Sequence, residues 1–270
     1  MERPILEIKN LQTYFYVDGK VLRAVDGLSY SVGRGECVAV VGESASGKSV
    51  SALSVLQLVA DPPGRIVGGE ILLDGVDLLK LSEREMRTIR GNRIAMVFQE
   101  PGTALNPVLT IGRQLTEGLE LHKGLSHKEA LKEAIDLLGL VGIPNPEQRI
   151  KDYPYQFSGG MQQRIMIAMA MSCSPDVLIA DEPTTALDVT VQAQLLEVLN
   201  GLRRQYGTAL VIITHNLGVV ARYAEKVQVV YAGRLVEGGT AEDIFQRTCH
   251  PYTKGLIRAV PRLDMPQDQE

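Results

Sequence analysis

Gly42-Glu-Ser-Ala-Ser-Gly-Lys-Ser49 has the spacing G-x-x-x-x-G-K-[ST], and the rest of the chain is best understood around it. A loop of this kind rings nucleotide phosphates with backbone N–H groups. Its lysine, Lys48, reaches the outer phosphates, and the Ser49 hydroxyl takes a place on Mg²⁺. Glycine-rich turns that bind nothing also exist, so the flanks matter. Glu36-Cys-Val-Ala-Val-Val41 is short, apolar and β-branched, which predicts a buried strand. Ser49 to Leu58 predicts a helix whose positive N-terminus faces the phosphates. The expected cradle for ATP or GTP comprises Gly42, Glu43, Ser44, Ala45, Ser46, Gly47, Lys48, Ser49 and Val50.

A second apolar run, Val177-Leu-Ile-Ala180, ends in two carboxylates, Asp181 and Glu182, followed by Pro183. At the end of a buried strand, Asp181 is suited to hold the Mg²⁺ shell, usually through water. Glu182, one residue on, is suited to polarise a water for in-line attack on a γ-phosphate. A plain solvated strand end leaves that adjacent acidic pair unexplained. Hydrolysis is therefore expected rather than mere storage of nucleotide.

Phe157-Ser158-Gly159-Gly160-Met161-Gln162-Gln163-Arg164 opens an apolar helical stretch, Ile165 to Ser172. Small residues with free N–H groups at a helix start form an anion site. This is a second phosphate-binding element, and one monomer with a complete phosphate loop has little use for two. It makes sense if it closes over the γ-phosphate of another subunit.

The set resembles the ATP-binding subunits of ABC transporters, from about Leu6 to the C-terminus. That resemblance implies an α/β P-loop NTPase core with an N-terminal antiparallel β part and an inserted α-helical subdomain. The usual signature LSGGQ reads FSGGM here. With the YPYQ lead-in and the QQR that follows, it looks like the oligopeptide/dipeptide/nickel importer branch. The resemblance carries roles to further residues. Gln99, in Phe98-Gln-Glu-Pro101, looks like a Mg²⁺ ligand and sensor of the membrane partner. Asp188, ending Thr185-Ala-Leu-Asp188, looks like part of the loop that crosses to the other subunit. His215 looks like the switch histidine on the γ-phosphate, at the end of the strand Val211-Ile-Ile-Thr-His215. Phe15 aligns with the aromatic that stacks on adenine, with Tyr14 and Tyr16 as alternatives. Asn216 stands where many relatives have Asp, and Tyr155 where this branch often has His.

Composition agrees with one ATPase unit over residues 1–270. Hydrophobic residues make up 45% and charged residues 22%, ample for one core. A net charge of −4 argues against a nucleic-acid surface. Cys37, Cys173 and Cys249 lie far apart without C-x-x-C spacing and read as reduced thiols of a cytosolic protein. Many relatives carry a cysteine-rich C-terminal tail able to hold an iron–sulfur cluster; the sequence to Glu270 has no such run. No stretch approaches the roughly 18 consecutive apolar residues of a membrane span. The N-terminus has no apolar signal core.

Residues Ile5 to Val41 predict strands, with turns at Asp18-Gly-Lys20 and Gly33-Arg-Gly35. Glu70 to Gly75 adds a strand and a turn. From about Pro101 to Met171 the period turns helical, with Ile111–Glu120 and Ser126–Leu138 as helices and Ser126 and Glu129 as a capping box. Alternating strands and helices resume at Val177, which predicts a mostly parallel sheet covered by helices. Residues 248–270 form a short tail resembling the extension of the peptide-importer branch. Within Gln99–Gln114, the apolar Leu105, Val108, Leu109 and Ile111 are too few for a separate core and are expected to line an exposed groove where a short helix of a transmembrane subunit docks; the alternative is an ordinary connecting loop whose apolar residues tuck under the insertion.

The resemblance implies a peripheral subunit at the cytoplasmic face of a prokaryotic membrane, powered by ATP and Mg²⁺. Its implied partners are two transmembrane permease subunits, a second ATPase subunit (a heterodimer favoured over a homodimer) and an extracytoplasmic solute-binding protein. The function it implies is ATP hydrolysis powering uptake of peptides or related small solutes, with nickel or metal chelates and glutathione as the alternative cargo. A soluble non-transport ABC ATPase and a non-hydrolysing nucleotide-binding module are the other classes.

Overall fold

The computed structural model describes residues 3–185 and 187–259. The N-terminal part is β1 (Leu6–Val17), β2 (Lys20–Val32) and β3 (Cys37–Val41), followed by α1 (Lys48–Val55), β4 (Gly64–Leu73), β5 (Val76–Asp77), α2 (Glu83–Ile89) and β6 (Ile94–Val97). Only helices follow until the next strand: α3 (Pro101–Ala104), α4 (Ile111–Lys123), α5 (His127–Leu140), α6 (Pro146–Arg149) and α7 (Gly159–Met171), with 3-10 turns such as Pro154–Gln156. The chain then alternates through β7 (Val177–Asp181), α8 (Val189–Tyr206), β8 (Ala209–Thr214), α9 (Leu217–Tyr223), β9 (Lys226–Tyr231), β10 (Arg234–Thr240), α10 (Ala241–Gln246) and α11 (Pro251–Arg258).

Two sheets result. β2, β1, β4 and β5 form an antiparallel sheet in that order. The second sheet runs β10-β9-β3-β8-β7-β6, parallel except for the β10–β9 pair. Its central strands β3, β8 and β7 are apolar up to their carboxyl ends, as strands covered on both faces must be. The two-residue period divides them cleanly. Val177 and Ile179 of β7 join Val38 and Val40 of β3 in a core with the antiparallel sheet and α1. Leu178 and Ala180 face the other way, into a core built with α4, α5, α7 and α8.

Register brings the parallel strands to a common end: Val41 pairs with Thr214, Ile213 with Asp181 and Ala180 with Val97. Ligands of such sheets bind outside the carboxyl ends of the strands. Here those ends carry the Gly42–Ser49 loop, Asp181-Glu182, His215 and Gln99. The fold thus assembles at one edge what lies over 170 residues apart in sequence.

Local signals acted as the sequence implied. Ser126 caps α5 in a reciprocal capping box with Glu129, an arrangement that stabilises a helix start by about 1 kcal/mol. One expectation is corrected. Leu105 and Ile111 are core residues, 2% and 0% exposed, and Leu105 meets a surface groove only as part of its floor, while Ile111 does not line it. The backbone N–H of Leu105 bonds back to Pro101 O, so the Pro101–Ala104 turn folds the side chain inward. Only Val108 of this group is open to solvent, at 76%.

Replacing Leu105 with Glu therefore buries a carboxylate without a partner. The expected destabilisation is roughly 3 kcal/mol or more, combining lost packing with the desolvation of the charge. Urea denaturation checks it; a midpoint equal to the parent's contradicts the burial of Leu105.

Candidate functional site

The phosphate loop is shaped by backbone that other residues adopt with difficulty. Gly42 has φ 155 and Gly47 φ 100, and a Cβ at either would collide with a carbonyl oxygen, Val230 O at Gly42 and Ala24 O at Gly47. The loop is thereby pressed against β2 and the end of β9. Gly233 N donates to Ser46 O at 2.9 Å and Asp26 N to Gly233 O at 2.8 Å, tying loop, turn and β2 into one frame.

Inside that frame Lys48 is 6% exposed, and its Nζ donates to Gly42 O at 2.8 Å and Glu43 O at 2.7 Å. Burial holds its pKa below that of a free lysine, opposed by Glu182, Asp181 and Glu43. Asp181 is also buried, at 6%, and burial raises its pKa while the Ser49 hydroxyl, donating at 3.0 Å, lowers it. An ammonium and a carboxylate both partly stripped of water favour polar complements of opposite charge, such as phosphate oxygens and a divalent cation.

Glu182 follows with φ 47, left-handed backbone that a carboxylate residue adopts at a cost of order 1 kcal/mol or more. Its N–H donates to Ile213 O at 2.9 Å, which fixes it against β8. The His215 Nδ1–H donates to Glu182 Oε1 at 2.8 Å, and Thr185 Oγ1 donates to Oε2 at 3.2 Å. The carboxylate is therefore aimed by two side chains, and the remaining His215 nitrogen, Nε2, is free to face a ligand.

A cavity of about 650 Å³ collects most of these groups; Gly42, Glu43 and Asp181 do not line it, Asp181 being joined to it through Ser49. Residues Ser44 to Val50, Gln99, Glu182 and His215 line it, and Phe15 closes one side. Among the three aromatic candidates, Phe15 alone lines the cavity; the Tyr14 hydroxyl is turned to Asp26 at 2.8 Å, and Tyr16 is an exposed side chain of the same hairpin. Sequence reasoning missed Leu22, Ala24 and Thr185 of the lining. Leu22 was legible in principle, because it pairs with Phe15 across the β1–β2 hairpin.

Ser158, Gly159 and Gly160 lie elsewhere. With Asp188 they line a separate cavity of about 470 Å³. Ser158 caps α7 by accepting from Met161 N at 3.4 Å, and Asp188 caps α8 by accepting from Thr190 N and Val191 N at 3.0 Å. Ala186, within the loop expected to cross to another subunit, lies outside the described residues, as does the tail from 260 to 270. The departure at Phe157 has a packing reason: its buried ring lies under the Arg149 guanidinium at 4.2 Å, a cation–π contact. Asn216 caps α9 through its side-chain oxygen, a role Asn performs as well as Asp.

Comparison with known proteins agrees with this geometry. The ABC transporter family model matches residues 25–185, and the model for the C-terminal region of oligopeptide/dipeptide transporters matches 236–270. The chain is 52% identical to the dipeptide transport ATP-binding protein DppD of Bacillus subtilis over 261 residues, covering 97% of this chain and 78% of that protein. It is 48% identical to the oligopeptide transport ATP-binding protein OppD of the same organism, covering 98% and 74%. Among solved structures, the dimeric post-hydrolysis state of the ATP-binding cassette MJ0796, bound to ADP and Pi, matches with a TM-score of 0.78 at 26% identity, covering 87% of this chain and 98% of that one. CbiO1 from Clostridium perfringens, part of the ABC transporter complex cbiONQ, matches with a TM-score of 0.75 at 26% identity, covering 91% and 92%.

The chain belongs to the ABC transporter family, and it is an ATP-binding, ATP-hydrolysing transporter subunit. Within that family it falls in the oligopeptide/dipeptide branch, as both the C-terminal match and the identities show.

Proposed function

We propose that this subunit powers the import of peptides by closing, with a second ATPase subunit, on two ATP molecules at the cytoplasmic face of a membrane. The observation that carries the proposal is the separation of two phosphate-type elements. The 650 Å³ cavity holds one, and the Ser158-Gly159-Gly160 helix start borders another cavity. Each lacks what the other offers, so a head-to-tail pair of cassettes joins them; the MJ0796 relative is itself described as dimeric. Ser158 and Gly160 then meet the γ-phosphate bound to the partner's loop, and Asp188, beside them, reaches the same interface. The partner we favour is a related but different subunit.

ATP enters with adenine on Phe15 and phosphates in the Gly42–Ser49 loop. Lys48 keeps its bond to Gly42 O and turns its other N–H donors from Glu43 O to β- and γ-phosphate oxygens. Glu182 accepts a proton from the attacking water while His215, already bonded to its carboxylate, contacts the γ-phosphate through its other nitrogen. Lys48, Glu182 and His215 are the catalytic set. Ser49, Asp181 and Gln99 fit Mg²⁺, because hydroxyl, carboxylate and amide oxygens are its preferred donors, and the Ser49–Asp181 pair at 3.0 Å is already convergent. When bound, Mg²⁺ neutralises charge developing on the β- and γ-phosphate oxygens.

Among the described residues no helix is long and apolar enough to cross a membrane. The contact with a permease then falls to a surface. We assign it to an apolar groove of about 280 Å³ beside Gln99, lined by Leu56, Leu58, Phe98, Met166 and Met169, with Leu105 as part of its floor. A short amphipathic helix from one permease subunit fits it, the second permease subunit meeting the second ATPase subunit, and motion of Gln99 on ATP binding reaches that helix. The helices of residues 101–171 act as a subdomain that swings with it, and residues 248–270 as an extension. Cargo reaches the permeases from an extracytoplasmic binding protein.

Two outcomes test this reading. Glu182→Gln is expected to keep ATP binding and slow hydrolysis ~10²–10⁴-fold; a phosphate-release rate near the parent's removes Glu182 from that role. Leu58→Glu places a charge at a groove position 42% exposed, where folding tolerates it. ATP hydrolysis by the assembled pair of ATPase subunits should persist, while co-purification with the permease subunits and peptide uptake fall. Normal uptake by this variant puts the docking surface elsewhere.

A further inference from the structure

The C-terminal helix α11 touches the phosphate loop directly. The Glu43 N–H donates to the Tyr252 hydroxyl at 2.9 Å across 209 residues. The same peptide group, Gly42–Glu43, presents its carbonyl to Lys48 Nζ at 2.8 Å. One peptide plane is thus gripped from both sides, by the phosphate-binding lysine and by a tyrosine of the C-terminal region. We infer that Tyr252 is a positioning residue for ATP binding, setting the plane of the Gly42–Glu43 peptide and through it the position of Lys48.

Three features make Tyr252 a fixed support rather than a passing contact. Its ring packs on Tyr231, centroids 4.5 Å apart at 46°. Glu237 of β10 anchors the start of α11, accepting from Thr248 Oγ1 at 2.9 Å, Cys249 N at 2.6 Å and His250 N at 3.3 Å. A carboxylate at a helix start also meets the positive end of the helix dipole. Burial keeps the Tyr252 phenol above its usual pKa, so it is neutral at physiological pH and accepts the Glu43 N–H through a lone pair.

The consequence for the site is directional. An acceptor on the N–H side of a peptide increases the negative charge on its carbonyl, so hydrogen bonds through one peptide strengthen each other. Tyr252 thereby strengthens the Gly42 carbonyl as a partner for Lys48. Without that acceptor the Gly42–Glu43 peptide is free to rotate, and Lys48 loses a defined resting place next to the phosphates. Because Glu237 and Tyr252 both lie in the segment matching the oligopeptide/dipeptide C-terminal region, that region is mechanically joined to nucleotide binding.

Tyr252→Phe tests this in the full 270-residue chain, since it keeps the ring on Tyr231 and removes only the acceptor oxygen. Calorimetric titration with ATP in EDTA is expected to give a Kd raised ~2–10-fold, the range of one lost hydrogen bond. The melting temperature should stay at the parent's value, and amide hydrogen exchange at Glu43 should accelerate. The parent chain in the same titration reports whether ATP binds at all, which separates this inference from the function above. An ATP affinity equal to the parent's, or an unchanged Glu43 exchange rate, overturns it.

Discussion

The Lys48 ammonium is held by Gly42 O and Glu43 O within a pocket that leaves it 6% exposed, and the surrounding architecture serves to keep a charge there. A buried cation is costly unless partnered. The partners come from three directions: carbonyls of its own loop, the Asp181 and Glu182 carboxylates from β7, and the phenol of Tyr252 acting through the Gly42–Glu43 peptide. Glycine at 42 and 47 is needed because any larger residue would meet Val230 O or Ala24 O. The aligned ends of β3, β8, β7 and β6 then bring every other reacting group to the same edge.

Much of this was legible in the residues. The G-x-x-x-x-G-K-S spacing, the apolar run before it and the acidic pair after Ala180 each state one chemical requirement, and parallel pairing satisfies them together. The all-apolar strands announced a sheet covered on both faces, and Ser126 with Glu129 announced a helix start. Phe15 was separable from Tyr14 and Tyr16 only once the hairpin register and the Tyr14–Asp26 hydrogen bond were visible.

Two kinds of information were not legible. The inward turn of Leu105 depends on the Pro101–Ala104 turn meeting α7, a tertiary contact with no local period, and so an apolar loop residue was expected at the surface. The Tyr252–Glu43 bond joins positions 209 residues apart, and neither residue type signals the other. Likewise, Asn216 in place of Asp gains meaning only as the cap of α9, where its oxygen accepts from Gly218 N and Val219 N.

The account stands on the claim that one cassette supplies the loop and another the Ser158-Gly159-Gly160 helix start. The most direct measurement mixes two inactive variants, Lys48→Ala and Ser158→Arg, each introduced into both ATPase subunits of the membrane complex. In the mixed complex one composite site carries both lesions and the other is intact. The account predicts that ATP hydrolysis, absent from either complex alone, returns on mixing. Activity that never returns in verified mixed complexes, or full activity in a chain shown to stay monomeric, contradicts it.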